Sequence, residues 1–436
     1  MKERVLLPGA RSGSVRIPSS KSEVQRLVLA AALSEGETKI RLRGISEDIE
    51  AAVGCLKALG AEIGLNEDRE GAVLTVCKIR AEIGENSRVL LPCRESAAVL
   101  RFLLPVAGAI GIPAVFRREG SLKDRPMGPY LAELARHGMT FSEDGEDLLA
   151  LGRLNPGRYE LPGNLSSQFV SGLLFALPLL NGESFLFVSG PVESAAYVRM
   201  TERVLAESGI VFEKQLPGAR EGELNAGLVY RILGGQRYRL PSEVTAGGDW
   251  SGAALFLAMG ALSESGVRVE GLSEKTDQGD RQMLGSLRAF GAKVAEDETG
   301  VTVSKGKLRG CVIDGKDIPD LVPPLAVLAG LAEGETVLMN AGRLRFKESD
   351  RLKTTAALIR ALGGQCIETP DGLLIRGVSA YSGGAVLSFR DHRIAMCAAL
   401  AAAGAKGPVT LRDPDAVRKS FPDFFERYDA LERESK

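Results

Sequence analysis

The sequence predicts an α/β protein built from about six copies of one mixed unit, with apolar helices inside and sheets outside. Three observations carry this reading: six polar loops each open an unusually apolar helix, five glycines recur at similar spacing where amphipathic helices end, and short strands fall between them.

The apolar helices come first. Ser19-Ser20-Lys21-Ser22 precedes one over 24–33, Pro92-Cys93-Arg94-Glu95-Ser96 one over 97–110, and Asn164-Leu165-Ser166-Ser167-Gln168 one over 169–180. Gly248-Asp249-Trp250-Ser251 precedes 252–262, Ile318-Pro319-Asp320 precedes 321–332, and Phe389-Arg390-Asp391-His392-Arg393 precedes 394–403. Each loop sets N-cap residue types ahead of a helix with no polar face. A helix that is apolar all round must lie in the interior, so the sheets belong outside.

The second kind of segment is a short strand, a charged loop, an amphipathic helix and a further strand. Gly60, Gly138, Gly209, Gly291 and Gly363 mark the helix ends, roughly 70 to 80 residues apart, and the sixth copy ends in a helix near 423–433. Three copies per domain is the natural division. The Gly-Gly-Gln-Arg-Tyr stretch at 234–238 is a candidate crossing, and the first strand, before about residue 20, fits either half.

A chain of 436 residues with a formal net charge of −1 has room for two or three cores and lacks the basic excess of a nucleic-acid protein. Its start has charged residues and a Pro-Gly turn in place of an apolar leader, and no long apolar run follows, so neither secretion nor membrane spanning is expected. Six scattered cysteines, with only His137 and His392 as histidines, predict reduced thiols and no zinc.

The interesting polar residues fall at helix N-termini, where unpaired N–H groups and the macrodipole attract anions. Lys21, Ser22 and Arg26 open the first apolar helix, Arg101 sits on the second, and Arg125 ends a loop of the second copy. Lys347-Glu348-Ser349-Asp350-Arg351 gathers charges of both signs in one turn, readable as a capping box. Arg393 is favoured over His392 as the functional residue of its loop. Asp320 is read as an N-cap, or as a carboxylate whose partly buried setting raises its basicity. With Lys419, these loops supply eight cations against Asp320 and Glu348 as the obvious acids, which suits two polyanionic substrates and one or two proton carriers.

Nine ordered pieces then resemble the 5-enolpyruvylshikimate-3-phosphate (EPSP) synthase family over nearly the whole chain. They are Ser20-Lys21-Ser22 with Arg26, Asp124-Arg125-Pro126, Ser166-Ser167-Gln168, Ser194 with Tyr197, Gly248-Asp249 with Ser251, Ile318-Pro319-Asp320, Lys347 to Arg351, Asp391-His392-Arg393, and Lys419-Ser420-Phe421-Pro422. The resemblance implies a two-domain inside-out α/β barrel, each domain three repeats of a βαβαββ-type unit. The N-terminal domain would cover 21–236 and the C-terminal domain 1–20 plus 237–436, with hinges near 20–21 and 234–240.

It further implies that Lys21, Ser22, Arg26, Ser166, Ser167, Gln168, Ser194, Tyr197, Asp320, Arg343 and Lys347 hold shikimate-3-phosphate. Phosphoenolpyruvate would lie against Lys21, Ala97, Arg125, Gln168, Arg351, Arg393 and Lys419, and closure of the domains would bring the two substrates together. The implied reaction is addition followed by elimination, with Asp320 as base, Glu348 assisted by Lys21 as acid, and no metal or organic cofactor. A cytoplasmic monomer without nucleic-acid or membrane partners is expected.

One departure stands out. The family usually shows a glycine in a small-residue run before the arginine, whereas this chain reads Glu95-Ser96-Ala97-Ala98-Val99-Leu100-Arg101. A methyl group at Ala97 is expected to narrow the phosphoenolpyruvate pocket and exclude the longer inhibitor glyphosate, at some risk to phosphoenolpyruvate itself. Two rivals remain: the sister transferase acting on UDP-N-acetylglucosamine, whose loop cysteine is missing from Ser121-Leu122-Lys123-Asp124, and a non-catalytic anion-binding relative resembling RNA 3'-terminal phosphate cyclases.

Overall fold

The computed structural model describes residues 2–68, 71–80, 87–215 and 227–434. Its contacts divide the chain into two units. The N-terminal unit holds Lys21–Leu42 and Asp48–Ala246, and the C-terminal unit holds Met1–Ser20, Arg43–Glu47 and Gly247–Lys436.

All six apolar helices form where the loops predict them. They run over Lys21–Leu33, Ala97–Ile110 and Ser167–Ala176 in the N-terminal unit, and over Trp250–Gly260, Val322–Ala329 and His392–Ala403 in the C-terminal unit. The third stops short of 180 because Pro178 cannot donate to the helix ladder, and the chain finishes as a 3-10 turn over Leu177–Leu179. Every residue of the Trp250–Gly260 and His392–Ala403 helices is buried, as interior placement demands.

The sheets repeat one order. Arg158–Pro162 runs parallel to Ser184–Ser189, which pairs antiparallel with Leu228–Ile232, which in turn pairs with Glu213–Gln215. Val89–Arg94 and Val312–Asp314 begin sheets of the same order. Along the outer strands burial alternates, for example in Glu37–Leu42, so one face meets the helices and the other water. The helices between strands end at Gly60, Gly138, Gly209, Gly291 and Gly363, all with φ between 76° and 101°. That left-handed backbone is open to glycine and strained for other residues.

In each unit one copy takes its first strand from a distant part of the chain. Glu243–Thr245 runs parallel to Glu37–Leu42, so the N-terminal unit keeps the chain through Ala246 instead of releasing it near 236. Arg11–Arg16 plays the same part beside Val267–Glu270, which ties the start of the chain to the C-terminal unit. Among the described residues no helix is long and apolar enough to cross a membrane.

Candidate active site

In the N-terminal unit the three inner helices are wired together at their N-terminal ends. Gln25 Nε2 on the first helix donates to Ser96 Oγ, the N-cap of the second, and to the carbonyl of Asp48, both at 3.1 Å. Arg101 on the second helix donates to Gln168 Oε1 at 2.8 Å and reaches Ser166 Oγ at 3.5 Å on the third. Ser166 caps that helix by accepting from the Gln168 N–H, and Ser167 is buried behind it. Three helix N-termini at one end are a ready place for anions.

Lys21 begins the first helix and is paired at 2.8 Å with Asp48, a buried carboxylate that the sequence reading did not single out. Ser22 and Tyr197 are half-buried, whereas Ser194 is buried at φ 53°, an unusual backbone for a residue with a side chain. Such strain is characteristic of binding sites. Arg125 is half-buried at the end of the Gly120–Asp124 turn, and Ala97 opens its helix with 5% of its surface exposed.

Arg26 differs from expectation. Its guanidinium is buried and donates to Thr201 Oγ1 at 2.8 Å, to the Ser22 carbonyl at 2.7 Å and to the Tyr197 carbonyl at 3.1 Å. It also packs over the Phe102 ring at 4.9 Å, and burial lowers its pKa to about 10, leaving it charged at neutral pH. In this conformation Arg26 orders Ser22 and Tyr197, with its own donors largely engaged by protein.

In the C-terminal unit the centre is Arg351, 1% exposed, which donates to Asp320 Oδ1 at 2.7 Å, Glu348 Oε2 at 2.8 Å and Asp391 Oδ2 at 2.8 Å. Burial alone would lower its pKa, but Asp391, Glu348 and Asp320 hold it well above the ordinary value. Asp391, fully buried, also caps the sixth inner helix by accepting from the Arg393 N–H. It was missed as a site residue because in sequence it reads only as a cap. Asp350, and not a Glu in a capping box, caps the Arg351–Ala361 helix, which leaves Glu348 for Arg351.

Asp320 also departs from the sequence reading. Leu321 occupies the N-cap position of the fifth inner helix, so Asp320 does not cap it. Burial pushes its carboxyl up, but Lys347, Arg393 and Arg351 together hold it well below the usual carboxylate range, against the opposing charge of Glu348. Its basicity is therefore reduced, the reverse of the expectation. Burial pushes the Lys347 ammonium down to about 8, with Arg351 and Arg343 working in the same direction and Asp320 and Glu348 opposing.

Arg393, whose Nε lies 3.9 Å from Asp320, donates through Nη1 to the Ser251 carbonyl at 2.6 Å. Arg343 is half-buried and donates to the Lys316 carbonyl, and Lys419 is buried at the end of the Pro414–Lys419 turn. His392 is buried, its Nδ1 3.9 Å from Asp391. Among the described residues no group of three or more His, Cys, Asp or Glu could hold a metal ion.

Each unit thus offers helix N-termini suited to anionic groups, and the C-terminal unit holds the Asp320 carboxylate in a cationic field and, in Lys347, a group that exchanges protons near neutral pH. Comparison with known proteins gives it a context. A family profile described as EPSP synthase (3-phosphoshikimate 1-carboxyvinyltransferase) matches residues 7–428. A 3-phosphoshikimate 1-carboxyvinyltransferase of Clostridium perfringens is 35% identical over 434 residues, covering 99% of this chain and 98% of its own. That of Clostridium kluyveri is 36% identical over 439 residues, covering 99% and 97%. Among solved structures, EPSP synthase from Acinetobacter baumannii superposes with a TM-score of 0.78 at 25% identity over the whole of both chains. The enolpyruvyl transferase NikO from Streptomyces tendae shares the fold at a TM-score of 0.75 and 22% identity, over 99% of this chain and 97% of its own. With the profile spanning nearly every residue and relatives matched end to end, the chain belongs to the EPSP synthase family.

Proposed function

We propose that this chain transfers the enolpyruvyl group of phosphoenolpyruvate to the 5-hydroxyl of shikimate-3-phosphate and releases phosphate, a step of aromatic amino acid biosynthesis. The observation that carries the reading is the family match over residues 7–428, within which Lys21, Ser167, Gln168, Arg351 and Arg393 lie in the first turns of helices of both units.

Lys21, Ser22, Ser166, Ser167, Gln168, Ser194 and Tyr197, with Asp320, Arg343 and Lys347, take shikimate-3-phosphate. Arg26 contributes by fixing Ser22 and Tyr197. Lys21, Ala97, Arg125, Gln168, Arg351, Arg393 and Lys419 take phosphoenolpyruvate, their charges offsetting its phosphate and carboxylate. The 5-hydroxyl attacks C2 and its proton passes to Asp320, while Glu348, assisted by Lys21, delivers a proton to C3. The tetrahedral adduct then loses phosphate and a proton to give the enol ether.

The cations that depress Asp320 are the ones assigned to the substrates. Once phosphate and carboxylate groups offset Lys347, Arg393 and Arg351, burial dominates and Asp320 regains basicity. Its strength as a base thus depends on substrate being bound. The chain is proposed to work as a cytoplasmic monomer. The curated relatives' names favour this reading over the UDP-N-acetylglucosamine rival.

Phosphate release from shikimate-3-phosphate plus phosphoenolpyruvate tests the proposal. Wild-type protein should turn over only with both substrates, and Asp320→Ala should lower kcat by about 10²–10⁴. Wild-type protein that ignores both substrates would refute the reading.

A further inference from the structure

The loop before the Met283–Phe290 helix carries a buried carboxylate that the reaction above does not use. Asp280 is 2% exposed, and its Oδ2 accepts from the Ser251 hydroxyl in the first turn of the fourth inner helix. Its Oδ1 is also buried and has no hydrogen-bond partner among the described residues, unusual in an interior where polar atoms are nearly always paired. Ser251 is thus tied at three points: its N–H goes to Asp249, its hydroxyl to Asp280, and its carbonyl receives the Arg393 guanidinium at 2.6 Å. Two residues upstream, Gln278 staples the same loop to this helix, accepting from the Trp250 N–H at 3.0 Å and donating to the Gly248 carbonyl at 2.8 Å.

The geometry points to Asp280 as a positioning residue for Arg393: through Ser251 it fixes the carbonyl that holds the guanidinium, and it serves as a counter-charge behind it. This deepens the proposed function, since it rests on Arg393 receiving an anionic substrate. The groups that act on Asp280 are Asp320 and Asp249, which repel its negative charge, and Arg393, which attracts it. Arg281, next in sequence, is turned away to Glu296 at 2.8 Å. Burial first, then Asp320, push the Asp280 carboxyl up to about 7. An anion docking on Arg393 offsets the attraction that keeps Asp280 ionised, so binding is coupled to uptake of a proton from solvent by Asp280. The sign follows: ionised Asp280 opposes anion binding, so KM for phosphoenolpyruvate rises as pH increases through about 7.

Two measurements test this. In protein with ¹³C-labelled aspartate carboxyls, the resonance lost in Asp280→Asn should titrate near 7. It should move upward by about half a pH unit or more in Arg393→Gln, and also upward in Ser251→Ala. In steady-state kinetics, Asp280→Asn, which can still accept from Ser251, should abolish the pH step in KM for phosphoenolpyruvate near 7 while kcat changes less than about threefold. A resonance that titrates in the ordinary carboxylate range, or ignores Arg393→Gln, overturns the proposal, as does an Asp280→Asn profile superimposable on wild type. Absence of turnover in wild-type protein would overturn the enzymatic reading alone, because the titration needs no substrate.

Discussion

Lys347 carries a charge that a modest rise in pH removes. With its pKa pushed down to about 8, it is an ammonium at neutral pH and increasingly an amine above that value. An anion bound beside it raises the pKa, so binding favours the protonated form. Affinity for shikimate-3-phosphate should therefore be flat below about 8 and fall by up to about tenfold per pH unit above it, in a calorimetric titration across pH 7–9.5. Lys347→Arg should flatten that fall. Ala97 makes a different prediction. It is the first residue of its helix and nearly buried, so its methyl group takes space where the family's glycine exposes backbone. Wild type should resist glyphosate at concentrations that stop sensitive relatives, and Ala97→Gly should lower the half-inhibiting concentration by about tenfold or more, one methyl contact corresponding to roughly 1.4 kcal/mol. At this scale the sequence revealed residue types better than their states. Lys21 and Arg351 were recognisable, but the carboxylates paired with them, Asp48 and Asp391, belong to other elements and are brought near only by the fold.

The helix-ending glycines offer a test of the repeat itself. At Gly209, φ is 76° and an added Cβ would meet nothing within 4 Å, so only backbone strain opposes substitution. Gly209→Ala should cost about 1–2 kcal/mol, and Gly209→Asn less, in reversible urea unfolding of the enzyme. Helices of this kind were legible because their signals are local: an N-cap, a run without polar residues, a glycine. Glu243–Thr245 was not legible. Three residues after Pro241, two of them polar, carry no strand periodicity, and only the vacant place beside Glu37–Leu42 makes them a strand. The missed strand is what displaced the expected boundary from Ala246 to about 236.

Over the whole molecule the thiols report on packing. Cys55, Cys93, Cys366 and Cys397 are buried, and Cys77 and Cys311 are half-buried. A thiol reagent such as Ellman's should react promptly with at most two of the six in the native enzyme and with all six after denaturation. Burial pushes the Cys93 thiol well above its ordinary value, which slows it further. The layering of helices inside sheets was readable from composition alone, since a helix without a polar face has no stable place at a surface. The identity of each strand's neighbours was not, because pairing depends on residues far apart in the chain. The same layering governs how the protein tolerates change. In an ordinary α/β protein a helix offers one harmless position every three or four residues, so a map of permitted substitutions shows stripes. The twelve residues from His392 to Ala403 have no such stripe, since every one is buried. Tolerance of substitution is therefore expected in the outward side chains of the strands and not along these inner helices.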